Sequence, residues 1–304
     1  MTIVDNVGPS TNATGVETPV TITVDGEIVS LAPGSTILDG CNSAGVDTPT
    51  LCYAENLTPV NVCRVCVVEV ENSRTLVPSC SRVAEEGMVV FTDSERVRHS
   101  RKMVLEFLDS SVDLTQTSDL GSGSLESWAA EYEVDSSRYG PEPQVMKEEV
   151  KIQDNLYIRD YDKCVLCYKC VEACGDDAQH TFAIAVAGRG LDARISTEFD
   201  VSLPESACVY CGNCVAVCPT NALQFKSEFD LRQADDWREE EHTVTRTVCS
   251  YCGVGCNLEL HVQDNTIVKV TSPNDHSVTN GHLCVKGRFG WQYVQPTIGR
   301  KPSD

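Results

Sequence analysis

From Val20 the chain alternates, with Val20, Ile22 and Val24 separated by threonines; Asp25-Gly26 then interrupts the run and Glu27 to Leu31 returns. That pattern predicts a β-hairpin closed by a two-residue turn. Ser35 to Ala44 shifts to helical spacing, with Ser35 placed as the N-cap. Val65–Val70 and Met88–Phe91 read as further strands, and Ser94 to Leu108 as a helix carrying Val97, Met103, Val104, Phe107 and Leu108. Between Asp109 and Pro143 the chain is rich in Ser, Asp and Gly, and only Leu125 to Tyr132 keeps a helical pattern, so the stretch reads as a connector. Asp230 to Glu241 is an acidic linker around Trp237. After Thr245 a small β-unit is predicted, with Leu258–Val262 and Thr266–Val270 joined by a turn at Asp264-Asn265. The small polar residues up to about position 18 predict a disordered lead.

A length of 304 residues leaves room for two or three domains. The formal charge of −21, from 45 acidic against 24 basic residues, argues against nucleic acid, whose phosphates it would repel. Acidity also serves solubility, and it suits basic surfaces on partner proteins. No apolar run approaches the roughly 20 residues that cross a bilayer, so no membrane insertion is expected. Met1 to Val24 lacks a charged-then-apolar leader, which predicts a cytoplasmic chain. Seventeen cysteines change the picture. In a reducing compartment clustered cysteines bind metal more often than they form disulfides.

Cys52, Cys63, Cys66 and Cys80 form C-x10-C-x2-C-x13-C downstream of the hairpin and helix. A close pair chelates and two distant ligands close the cage. Tetrahedral zinc could use such a set, but the order hairpin, helix, cysteine-bearing loop favours a [2Fe–2S] cluster in a β-grasp ferredoxin domain. The first gap is longer than in the plant-type pattern. The run Thr36 to Val46, followed by Pro49-Thr-Leu-Cys-Tyr53 and Cys63-Arg-Val-Cys-Val-Val-Glu-Val70, resembles the N-terminal ferredoxin domain of the large iron–sulfur subunit of respiratory complex I. NAD-reducing hydrogenases and NAD-dependent formate dehydrogenases share that domain. Cys41 belongs to no set and reads as a small buried hydrophobe on the helix. The complex I lineage carries next a cluster held by one histidine and three cysteines; here the matching place reads Leu108 to Leu114, with no cysteine between Cys80 and Cys164. That cluster is expected to be absent, and His99 to be a surface residue.

Cys164, Cys167, Cys170 and Cys174 read C-x2-C-x2-C-x3-C, and Cys208, Cys211, Cys214 and Cys218 repeat the pattern before Pro219. In two-cluster ferredoxins the fourth cysteine of each run reaches the other cube. Cys164, Cys167, Cys170 and Cys218 are therefore expected to hold one [4Fe–4S] cluster, and Cys208, Cys211, Cys214 and Cys174 a second. The insertion with Thr181 to Ala185 and Ala187 to Leu191 resembles the formate dehydrogenase and hydrogenase lineage. Gly188 and Gly190 lack the strand–helix setting of a phosphate loop.

Cys249-x2-Cys252-x3-Cys256 and, 27 residues on, Cys284 make a further [4Fe–4S] pattern. Cys249 to Cys256 and Gly281-His-Leu-Cys-Val-Lys-Gly-Arg288 resemble the N-terminal [4Fe–4S] domain of molybdopterin oxidoreductases, formate dehydrogenases especially. The resemblance implies that Lys286 lies on an electron path between cluster and pterin; the plainer alternative is a solvated lysine. It also implies a large pterin-binding domain for which the residues up to Asp304 leave no space, so a molybdenum or tungsten domain is expected on a partner chain docking near 245–304.

The expected fold is α+β, in the order 1–18 disordered lead, 19–110 β-grasp [2Fe–2S] domain and 111–150 connector. Then come 151–230, a two-[4Fe–4S] ferredoxin-like domain; 231–244, the acidic linker; and 245–304, a small β-rich [4Fe–4S] domain of molybdopterin-oxidoreductase type. The function this implies is electron transfer in a multi-subunit formate dehydrogenase. The chain would carry one [2Fe–2S] and three [4Fe–4S] clusters and no catalytic centre of its own, passing electrons from a molybdopterin subunit towards an FMN-bearing, NAD-linked diaphorase subunit. A diaphorase-type subunit of an NAD-linked hydrogenase, a complex I relative and a zinc-binding scaffold are the alternatives.

Overall fold

The computed structural model describes residues 18–112, 125–139, 148–274 and 278–295. The expected disordered lead lies outside these residues except for position 18, as does much of the expected connector.

The first unit begins with the predicted hairpin, β1 (Val20–Val24) and β2 (Glu27–Leu31), paired antiparallel in register. Asp25 and Gly26 both have positive φ, as this tight turn requires. α1 (Ile37–Ser43) follows, but its N-cap is Thr36, not Ser35. The reason is the capping box: Asp39 stands three residues past Thr36, and each side chain bonds the other's backbone N–H. β3 (Val67–Val70), β4 (Val77–Pro78) and β5 (Val89–Phe91) complete a five-stranded sheet in the order β2-β1-β5-β3-β4, with β1 and β5 parallel. The strand predicted from Val65 begins only at Val67, because Val65 and Cys66 form the turn that presents the cysteine. α1 lies so close to the sheet that a Cβ on Gly40 would meet Ile22 at 2.6 Å. Cys41, fully buried, packs with Ile22, Val24, Val68 and Val90 in the core between them.

α2 (Glu95–Asp109) starts at Ser94, whose hydroxyl accepts the Val97 N–H. Its buried stripe is Val97, Arg101 and Leu105, one residue per turn. Arg101 is tolerated inside because its guanidinium donates to the Tyr132 hydroxyl at 2.7 Å and the Val67 carbonyl at 3.0 Å. Phe107 is 54 % exposed and stacks on Tyr139, and His99 is exposed as expected. α3 (Leu125–Glu131) falls in the stretch read as connector, yet Leu125, Trp128 and Tyr132 sit in one core with Leu51, Cys52, Val65, Leu105 and Cys167. The helical pattern read at Leu125 to Tyr132 is thus a real helix, and the structure adds that it packs into the core joining two units.

The second unit is the sequence repeat. β6 (Tyr157–Arg159) precedes α4 (Lys169–Cys174); β7 (Ala185–Ala187) and β8 (Arg194–Ser196) form a hairpin within the insertion. α5 (Asn213–Ala216), β9 (Leu223–Phe225) and α6 (Lys226–Gln233) follow, with β9 paired antiparallel to β6. The acidic linker is packed: Trp237 lies against Arg232, Lys269 and His242, and Arg238 bonds Glu241 and Asp264.

The third unit is a three-stranded antiparallel sheet of β10 (Thr243–Val248), β11 (Asn257–Gln263) and β12 (Thr266–Thr271). The turn falls at Asp264 and Asn265 as predicted, both at positive φ. β10 starts inside the expected linker; all of it is exposed, so no buried face marked it as a strand. Two short helices, α7 (Val285–Phe289) and α8 (Trp291–Val294), close the unit. Among the described residues no helix is long and apolar enough to cross a membrane.

Candidate iron–sulfur centres

The four cysteine sets are gathered in space as well as in sequence. In the first unit the Cys66 and Cys80 sulfurs are 3.3 Å apart, and the Cys63 N–H points at the Cys52 sulfur at 3.5 Å. A hydrogen bond from Cys63 pulls the Cys52 thiol down to about 5, and the bond to Cys80 pulls Cys66 down to about 7. Their donors are pushed up in turn, and Cys80 also feels the charges of Cys52 and Cys63. All four thiols therefore share one electrostatic site. Asn61 and Arg64, at positive φ, bend the loop around it.

The paired quartets are arranged in the crossed manner. One small enclosed cavity is lined by Cys208, Cys211, Cys214 and Cys174, together with Tyr157, Thr181 and Leu203. A second is lined by Cys164, Cys167, Cys170 and Cys218, with Tyr161, Tyr168 and Ile195. Each cavity thus takes three thiols from one run and the last from the other. Burial pushes Cys164 and Cys167 up to about 12, and the Cys218 charge adds to it; Cys214 is raised well above its usual value by burial and by Cys211, Cys174 and Cys208. The local backbone repeats as well. Leu166 and Tyr210 have φ of 51° and 57°, Tyr168 and Gly212 of 64° and 69°. These left-handed residues curl each loop so that an N–H two positions on faces the sulfur: Leu166 to Cys164, Lys169 to Cys167, Tyr210 to Cys208 and Asn213 to Cys211. Such donors favour the thiolate over the thiol.

In the last set burial raises the Cys256 thiol, and the charges of Cys249, Cys252 and Cys284 add to this. Cys249 is buried, whereas Cys252 and Cys284 are exposed. Lys286, on the first turn of α7, is exposed beside Cys284.

The residues present fit iron–sulfur clusters. Four thiols around an enclosed cavity strongly resist ionising together, and bound iron cations remove that penalty. Among the described residues no three His, Cys, Asp or Glu donors converge on one ion-sized point; the thiols surround spaces instead of a single centre.

Sequence reasoning missed several groups at these sites. The Tyr157 hydroxyl lies 2.9 Å from the Cys208 sulfur, and the Ala183 N–H donates to the Cys174 sulfur at 3.2 Å. Arg288 is fully buried between the second and third units. No sequence signal foretells Tyr157 or Ala183, since neither lies near its partner along the chain.

Successive units touch through these sites. Cys167 shares a core with Cys52 and feels its charge. Cys170 and Cys214 each feel the other quartet. Arg288 bonds the Cys211 carbonyl through its side chain and the Cys284 carbonyl through its backbone.

Fold and sites together define an iron–sulfur protein of three domain types. Residues 17–95 match the 2Fe-2S iron-sulfur cluster binding domain, 157–179 and 201–224 the 4Fe-4S binding domain, and 242–296 the molybdopterin oxidoreductase Fe4S4 domain. More particularly, the chain is an iron–sulfur electron-transfer protein related to NADH-quinone oxidoreductase, NAD-reducing hydrogenase and formate dehydrogenase. It is 32 % identical over 279 residues to a component of NADH-quinone oxidoreductase from Rhizobium meliloti, covering 91 % of this chain and 32 % of that protein. It is 28 % identical over 311 residues to a Staphylococcus haemolyticus protein named as a candidate formate dehydrogenase, covering 90 % of this chain and 31 % of the relative. A chain in the crystal structure of an NAD+-reducing [NiFe]-hydrogenase matches with a TM-score of 0.57 and 27 % identity, covering 68 % of this chain and 87 % of that one. The chain spans about a third of the length of these two curated relatives.

Proposed function

We propose that this chain is the electron-transfer part of a formate dehydrogenase, passing electrons from a molybdopterin centre on a partner to a flavin- and NAD-linked diaphorase partner. The observation that carries the reading is the unbroken series of contacts from Cys284 through Arg288 to Cys211, across the crossed quartets to Cys167, and on to Cys52. When bound, one [2Fe–2S] and three [4Fe–4S] clusters supply one-electron transfer. The protein's part is to hold the sixteen thiols named above, to exclude water from the middle of the series and to leave one end open. That open end is Cys252, Cys284 and Lys286, where the partner's pterin would approach. The match of residues 242–296 to the molybdopterin oxidoreductase Fe4S4 domain favours this over a hydrogenase assembly. Co-purification tests it: the chain should bring down a pterin-containing protein, and the complex should reduce NAD with formate. Nickel and hydrogen-dependent NAD reduction in its place would sink the reading.

A further inference from the structure

The two quartets repeat position for position, and the residue just before the third cysteine is Lys169 in one and Asn213 in the other. Both are buried, at 9 % and 1 % exposure. Lys169 lines a polar cavity together with Cys218, and its charge favours the thiolate of Cys167. Its counterpart Asn213 is neutral, but the Asn213 Oδ1 accepts a hydrogen bond from Arg288 Nη2 at 3.0 Å. Arg288 has no exposed surface, and its other donors reach the carbonyls of Cys211, Val270 and Gly281 at 3.3–3.4 Å. Among the described residues neither Lys169 nor Arg288 is paired with a carboxylate within 4.0 Å. A buried cation without a counter-charge is strongly disfavoured. The sulfurs of Cys167 for the lysine, and of Cys211 and Cys214 for the arginine, lie within electrostatic reach of these charges.

We infer that Lys169 and Arg288 are paired positioning residues, one for each quartet, that hold a positive charge against the cluster and so raise its reduction potential. In the first quartet the repeat supplies its own cation. In the second, Asn213 receives the cation from α7 of the third unit, so the packing of that unit sets the potential of the site it adjoins. This rests on the crossed ligand assignment proposed above. A cation at short range in a low-dielectric interior stabilises the more negative, reduced state.

An EPR-monitored redox titration of the full chain tests this. In Arg288→Gln one cubane should become about tenfold harder to reduce, a fall of about 59 mV for a one-electron couple, while the other centres keep their midpoints. Lys169→Gln should move the other cubane instead. Arg288→Lys, which keeps the charge, should stay near the wild-type value, and Asn213→Lys combined with Arg288→Gln should recover it. Unchanged midpoints in both glutamine variants, or equal shifts of every centre in Arg288→Lys, would overturn the inference. A wild-type chain without three cubane signals, two of them magnetically coupled, would show that the ligand assignment itself has failed, and the inference with it.

Discussion

Cys167, Cys170 and Cys211 lie within the protein, at 9 % exposure or less, whereas Cys252 and Cys284 of the last set stand at the surface. The two regions use similar spacing, yet their surroundings differ. The paired quartets are wrapped by Tyr157, Ile184, Ile195, Leu203, Leu223 and Phe225 and receive their fourth thiols from each other. The last set rests on one core of Leu258, Val270, Leu283 and Trp291, with Tyr251, Val254 and Val285 exposed around it. Burial would lower the solvent reorganisation at a pair of clusters held there, and an exposed site leaves room for close approach. The difference separates an insulated middle from an accessible end.

The sharpest way to break this comparison is to remove thiols. Cys170→Ser or Cys214→Ser deletes a ligand from crossed sites that share one core, so both cubanes and much of the second unit's cooperative folding should be lost. Cys252→Ser or Cys284→Ser should remove a single cluster and leave the far-ultraviolet circular dichroism near wild type. Iron per chain, read beside the spectrum, decides; equal losses from both kinds of variant would contradict the contrast.

A smaller effect is expected at the junction of the first two units. Trp128 is 3 % exposed in the core that holds Cys52 and Cys167. Trp128→Ala should lower stability by about 3–5 kcal/mol, seen as an earlier denaturation midpoint, with the last set's signal unaltered. A midpoint within error of wild type would mean that α3 is not part of the core.

The pH response should single out the third unit. Burial lowers His261 from its ordinary 6.5 to about 4, and Lys269 and His242 oppose its protonation, against Glu259 and Glu239. The folded state therefore favours the neutral ring. Its contribution is present above about 6.5 and is lost as pH falls towards 4. His261→Gln, which can still bond Thr271, should flatten that loss in urea titrations at several pH values. An unchanged slope would place the acid sensitivity elsewhere.

The smallest effect is expected from Tyr157→Phe, which removes the hydroxyl beside the Cys208 sulfur. A hydrogen bond of about 1 kcal/mol that favours the reduced, more negative site should lower one cubane's midpoint and leave the others in place. No shift would mean that the hydroxyl does not donate to the sulfur.

Much of this organisation was legible in the sequence. Turn chemistry at Asp25-Gly26 and Asp264-Asn265 is a local signal that survives folding, whereas the cap expected at Ser35 moved to Thr36, where Asp39 completes a capping box. The crossed grouping expected by analogy with two-cluster ferredoxins agrees with the two cavities, each lined by three thiols of one run and the last of the other. What stayed hidden depends on distant partners. Arg101 is buried because Tyr132 and Val67 receive it, and Arg288 because Asn213 and three carbonyls do; apart from Gly281, these partners are distant in sequence. The helix of α3 was legible but its place in a shared core was not, and β10 stayed hidden because it has no buried face.

The measurement closest to the central claim is an iron and acid-labile sulfide count on the intact chain, joined to EPR of the dithionite-reduced protein. One two-iron and three four-iron centres predict about fourteen irons per chain, with magnetic interaction between the two enclosed cubanes. A colourless protein that carries zinc, or four cubane signals with no two-iron centre, would contradict the account.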